Sequence, residues 1–243
     1  EEAGGRNDRG DTFHSEAYET ALKIDGAKWQ NTVDRIFSGT YDLSKAVPIM
    51  RTPLVFTLVK TRDGQSVAPL PLYVSAGKVK KIRKKHAYMT QDVLKQLPQA
   101  LSDPIAIFRS AEKSANPNGL VALLELSAVI NEQGDKDNVV AALALNQRKD
   151  GTGIDVNILS SAYTKSSEQS DGTRVPNPNW FVGQEKLGNL LYINEQKSSA
   201  WSAQAGVQFP SPADTRNLSE NIVKTEADLV KLRKENGNRF YQE

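Results

Sequence analysis

"LVALLELSAVI" (residues 120–130), "NVVAALALNQ" (138–147) and "GIDVNILSSAYTK" (153–165) are the stretches whose reading decides the fold. Each is rich in Val, Ile, Leu and Ala, and the segments between them are rich in Gly, Asn and Asp. Apolar runs punctuated in this way read as strands joined by turns, here an antiparallel meander. In the third run a period of two places Ile154, Val156 and Ile158 on one face. Asp155, Asn157, Ser161, Tyr163 and Lys165 fall on the other, unless a bulge at Ser160-Ser161 changes which side chains share a face.

Upstream, two helical patterns are expected. The first, near 15–25, carries Ala17, Ala21, Leu22 and Ile24; the second, near 27–38, carries Trp29, Val33, Ile36 and Phe37 and stops at Gly39. "TPLVFTLVKT" (52–61) and "APLPLYV" (68–74) flank "RDGQ", whose Asp-Gly predicts a hairpin with its proline-bearing second arm at an edge. Ser75 is placed to cap a basic helix, and Thr90 to cap "DVLKQLPQAL", which Pro98 kinks or ends. Downstream come a polar loop over 166–179, a returning strand at "NLLYIN" (189–194) and a helix over 195–205 that closes at Gly206. "KTEADLVKLRKENG" (224–237) reads as a solvated, charged helix with a short apolar stripe of Leu229, Val230 and Leu232.

This order predicts an α+β fold: N-terminal helices followed by a twisted antiparallel sheet of about four strands, with C-terminal helices. Residues 1–11 (EEAGGRNDRGD) read as a flexible linker, 12–210 as a single α+β domain, and 211–243 as a C-terminal extension with a terminal helix. The chain begins at Glu1 and is expected to be part of a larger polypeptide.

The 31 basic and 29 acidic residues leave a formal charge of +2, so a polyanionic partner has to be argued from a local patch. The chain has no cysteine, which removes disulfides, thiolate nucleophiles and sulfur-bound zinc. No apolar run approaches the roughly 18 residues of a membrane span. Phosphate-loop, H-E-x-x-H and G-x-S-x-G motifs are all missing, so no metal and no nucleotide cofactor is expected.

One local patch stands out. "KVKKIRKKHAYM" (78–89) has six basic residues among its first eight and runs into His86, one of two histidines beside His14. At 100° per residue, with Val79 at zero, Ile82 falls at about −60° and His86 at about −20°. His86 is therefore expected on the inward stripe, with Arg83 beside it and Lys80, Lys81 and Lys84 outside. An imidazole below a basic rim suits a phosphate-directed acid or base; a core histidine under solvated lysines fits the same pattern. The polar face of the third strand has a similar double reading. Lys165 supplies charge and Ser161 and Tyr163 donate hydrogen bonds to phosphate oxygens, or the face alternates only because water covers it.

Several segments in order resemble the C-terminal domain of phage MuF-type minor head proteins and of related bacterial polymorphic toxins. They are "TPLVF", "PLYVSAGKVKKIRKKHAYMT", "LPQALSDPIAIFRS", "VNILSSAYTK", "LLYINEQKSSAWSAQAGVQFPSP" and "VKTEADLV". The resemblance implies kinship with metal-independent ribonuclease toxins of the barnase–EndoU–colicin–RelE type. It places a Lys-His pair on Lys85 and His86 and an S-x-Y-x-K pattern on Ser161, Tyr163 and Lys165. On that reading His86, Lys165, Tyr163 and Ser161 are catalytic, and Lys85, Arg83, Lys81 and Thr164 bind substrate. RNA is then the substrate, cut by its own 2′-hydroxyl, and Tyr163, Lys165 or Glu125 would be the second proton-transfer group. A neutralising immunity protein is implied, with action in the cytoplasm of a target cell or association with the phage particle. The alternative is a non-catalytic module of a phage head protein that binds nucleic acid or a partner. An NAD-consuming or ADP-ribosylating toxin would need an acidic residue beside an aromatic clamp, which no motif supplies.

Overall fold

Alternate residues of the central strand β4 (Leu120–Val129) are buried on opposite sides of one sheet. Leu120, Ala122 and Leu124 enter one core, Val121 and Leu123 another. A strand apolar on both faces needs cover on both, and both faces carry helices. The computed structural model describes residues 8–148, 155–210 and 223–236.

Among the described residues the sheet has eight strands. Its members are β1 (Ala46–Arg51), β2 (Pro71–Ser75), β3 (Ala106–Arg109), β4, β5 (Lys136–Arg148), β6 (Asp155–Thr164), β9 (Leu190–Ile193) and β10 (Lys224–Thr225), in the order β1-β2-β6-β5-β4-β3-β9-β10. A separate two-stranded ribbon pairs β7 (Ser167–Glu168) with β8 (Arg174–Val175) inside the stretch expected to be loop. The α+β expectation of a four-stranded antiparallel sheet is therefore overturned. The run β3–β4–β5–β6 is antiparallel, but β2 joins β6 in parallel and β10 joins β9 in parallel, giving a mixed α/β sheet. Short turns dictate antiparallel neighbours locally; the outer strands reach the sheet through long connections that leave no such signal.

The predicted hairpin is also corrected. Residues Leu54–Thr57 form a short helix, α2, that buries Leu54, Val55 and Phe56. The Asp63-Gly64 turn closes only the isolated bridge Lys60–Ser66, with Gly64 at φ +80°. The true partner of β2 is β1, "AVPIMR".

The two N-terminal helical patterns form one helix, α1 (Asp8–Phe37), which takes in residues 8–11 of the expected linker. Residues 1–7 lie outside the described residues, as do the side chains of residues 8–19, His14 among them. Trp29 of α1 is fully buried and its Nε1–H donates to the Leu94 carbonyl at 2.7 Å. Around α1 on the first face lie α3 (Ala76–Lys85), α4 (Gln91–Lys95) and α5 (Leu97–Ser102). Thr90 caps α4 through Val93 N–H, and the chain breaks at Gln96, ahead of Pro98. The second face is covered by α6 (Asn179–Lys186) and α7 (Glu195–Ala205), whose Phe181 and Trp201 pack with Phe108 and Phe209. Helix α7 stops at Gly206, which adopts φ +67° without the steric cost a Cβ brings. The terminal helix α8 (Glu226–Asn236) is not a solvated appendage, since Leu229 is buried in the first core. Residues 211–222 and 237–243 of the expected extension, and Ile154, lie outside the described residues.

Strand β6 carries the bulge. Ser161 opposes Ala142 and Leu159 opposes Leu143, so Ser160 is the extra residue, and its hydroxyl donates to the Ala142 carbonyl at 2.9 Å. Leu159 and Ala162 consequently share the first core although three positions apart, and Tyr163 turns to the second. The expected single polar face does not form. Asn157 is wholly buried, and its Nδ2 donates to Thr52 Oγ1 at 2.8 Å and to the Ala68 carbonyl at 2.9 Å.

Candidate functional site

Strand β2 pairs with β6 only at Leu72–Asn157 and Tyr73–Ile158. Beyond that point α3, rather than another strand, packs along β6. Ser75 starts this helix by accepting the Lys78 N–H at 3.0 Å, and Val79 and Ile82 bury its inner side. The helix ends at Lys85. His86 is its C-cap, at φ −126° and ψ 83°, with its N–H donating to the Ile82 carbonyl. The inward position expected from helical periodicity is thus reached differently. The turn out of the helix, which ends one residue short of where the pattern carried it, brings the half-buried ring to the end of β6.

There the imidazole lies against Tyr163, with ring centroids 5.6 Å apart and planes 19° from parallel. The Tyr163 hydroxyl accepts a hydrogen bond from Lys165 Nζ at 2.9 Å, and the same ammonium sits 3.9 Å from the centroid of the Trp180 ring. On the other side of the imidazole, Nδ1 is 2.9 Å from the Tyr88 hydroxyl. That phenol oxygen also accepts the Thr164 N–H at 3.4 Å. Above Tyr88 lies Arg174, its guanidinium 5.6 Å from the ring centroid, donating to Ser166 Oγ at 3.2 Å and to Glu168 Oε2 at 3.4 Å.

Burial holds the His86 pKa below its usual value, with Lys85 and then Arg174 adding to the effect, because each cation disfavours a second positive charge. A lowered pKa favours the neutral ring, and either Nδ1 or the Tyr88 hydroxyl can be the donor between them. The tautomer that accepts the phenol proton at Nδ1 carries its own proton on Nε2 and offers it to an anion.

Of the residues singled out from sequence, His86, Tyr163 and Lys165 come together, and Lys85 stands at the lip beside them. Thr164 is buried, its hydroxyl bonded to Ser166 and its N–H to Tyr88, so it shapes the site from beneath. Ser161 is half-buried two positions before Tyr163, and no hydrogen bond links its hydroxyl to the cluster among the described residues. Lys81 is exposed and Arg83 half-buried on α3. Glu125 is engaged elsewhere, by Lys197 at 2.5 Å. Three members escaped the sequence reading. Tyr88 stands two residues past His86, a spacing that signals nothing by itself, while Arg174 and Trp180 come from β8 and α6 in a stretch without apolar periodicity.

Among the described residues no helix is long and apolar enough to cross a membrane. No curated protein and no solved structure matches the chain. The family model described as the phage MuF C-terminal domain matches residues 78–200, from α3 to α7, a span that holds every member of the cluster and just over half of the chain. By that match the chain belongs to the phage MuF C-terminal domain family.

Proposed function

We propose that this chain is a phage-head-associated module that binds nucleic acid, with the His86–Tyr163–Lys165 cluster receiving a phosphodiester. The observation that carries this reading is the convergence of an imidazole, an ammonium and two aromatic rings at one end of β6. Arg174 and Lys85 add positive charge beside it, and aromatic–cationic surfaces of this kind hold nucleic-acid strands by combining phosphate contacts with stacking. The matching test is fluorescence anisotropy with labelled RNA at several salt concentrations. Salt-sensitive binding that is weakened in Lys165→Gln supports the reading; salt-independent binding, or none, overturns it.

A second reading, a metal-independent endoribonuclease toxin, is favoured by the position of His86, neutral near pH 7 and beside an ammonium. In the reaction the 2′-hydroxyl loses its proton to a base, an O2′–P bond forms, the P–O5′ bond breaks, and O5′ receives a proton. That leaves a 2′,3′-cyclic phosphate and a free 5′-hydroxyl. His86 would move one of the two protons, and Lys165 would stabilise charge on the phosphorane. This reading carries with it an immunity protein and a target-cell cytoplasm. Purified protein incubated with total RNA in EDTA decides it: cleavage that disappears in His86→Ala establishes the enzyme, and intact RNA leaves the binding module.

A further inference from the structure

We infer that the open groove beside the cluster holds one unpaired nucleotide, its base stacked on the guanidinium of Arg174, so that the chain prefers single-stranded over duplex RNA. This rests on the nucleic-acid reading above and names the form of substrate that reading leaves open. The groove has a volume of about 700 Å³, and its lining includes Lys85, Tyr88, Glu132, Gln133, Asp171 and Arg174. That size is within the usual range for a small organic ligand.

Its lining is mixed in charge. Lys85 and Arg174 supply cations, and Lys85 adjoins His86, where the phosphodiester is proposed to bind. Glu132 and Asp171 also line it. Two carboxylates repel a phosphate, so a bound nucleotide directs its backbone to Lys85 and its base toward Glu132 and Gln133, whose exposed side chains can bond a base edge.

The stacking surface is prepared in advance. Arg174 is held by Ser166 and Glu168 with one face over Tyr88, and it lines the groove. A planar guanidinium fixed in this way accepts a base on its other face. The strand carrying Arg174 is also tied to the turn at Asn131, whose Nδ2 donates to the Arg174 carbonyl at 2.7 Å. Bases in a duplex are stacked inside the helix and cannot enter such a groove; an unpaired base can.

The experiment compares labelled single-stranded and duplex RNA of about a dozen nucleotides by anisotropy, using the whole chain. The wild type is expected to favour the single strand by about tenfold, in line with one stacked base. Arg174→Lys keeps the charge but loses the plane, and is expected to reduce single-strand affinity about tenfold, a larger loss than for the duplex. Gln133→Trp, a change at an exposed position that fills the groove, should do the same. Equal binding of both RNAs by the wild type, or equal loss for both RNAs in both variants, overturns the groove assignment alone. Failure to bind either RNA overturns the nucleic-acid reading itself.

Discussion

The imidazole of His86 and the phenol ring of Tyr163 lie nearly parallel, 19° apart in plane, although one caps a helix and the other ends a strand. The stack fixes the ring's orientation, and Lys85 and Arg174 help to keep it neutral. Lys85→Gln is therefore expected to raise the His86 pKa toward its ordinary value, read by NMR titration of the ring. Burial is the largest cause, so the rise stops short of about 6.5. A pKa that falls in the variant would show that the charge does not act as assigned.

Tyr163→Phe preserves the stack and removes only the acceptor of Lys165. RNA affinity should change by less than about tenfold, the effect of one part-buried hydrogen bond. Tyr163→Ala removes the stack and should weaken binding further. Equal losses in the two variants would mean that the hydroxyl, not the ring, carries the contact.

Lys165 places its charge over Trp180 at 3.9 Å. If it also meets a phosphate, Lys165→Gln lowers the slope of log affinity against log salt by about one. An unchanged slope with reduced affinity would restrict Lys165 to orienting the aromatic rings.

Asp137 of β5 is buried, its Oδ1 accepting the Asn138 N–H while Oδ2 has no hydrogen-bond partner among the described residues, and its pKa is pushed up to about 6. Burial is the main cause. With a folded value above the unfolded 3.8, the native state binds the extra proton between those values, so this group's contribution to stability falls as pH rises from about 4 to 6. His86 acts in the opposite sense: its folded pKa is depressed, so its contribution is lost as pH falls from about 6.5 through the folded value. Asp137→Asn should therefore stabilise the chain by on the order of 2 kcal/mol at pH 8 and have little effect at pH 4, measured by urea unfolding. An equal change at both pH values would count against a buried charge as the cause.

Asn157 bonds Thr52, Ala68 and the Asn146 N–H, joining β6 to two connecting segments and to β5. Asn157→Leu removes the acceptor of the Asn146 N–H, while Thr52 and Ala68 keep their bonds to Leu70, and should cost about 1–3 kcal/mol. A midpoint shift in urea without a change in slope would show that stability alone has fallen; a neutral substitution would mean water replaces the network.

Helix caps and stops were legible because they depend on a side chain and its own neighbouring backbone. Ser75, Thr90 and Gly206 act where their spacing puts them. The antiparallel run through β4, β5 and β6 was legible for a related reason, since alternation and short turns are local. "TPLVFTLVKT" misled because an apolar run this short suits a buried helix turn as well as a strand, and tertiary packing chose the helix.

By itself the sequence determined the meander, the basic helix and the candidates His86, Tyr163 and Lys165. Tertiary structure alone decided that β1 and β10 are strands, where β2 and β9 join the sheet, that Ser160 bulges, and that Tyr88, Arg174 and Trp180 complete the site. The physical reason is range: caps and turns are settled within a few residues, whereas parallel pairing and ring-on-ring contact depend on surfaces that distant segments present only once packed.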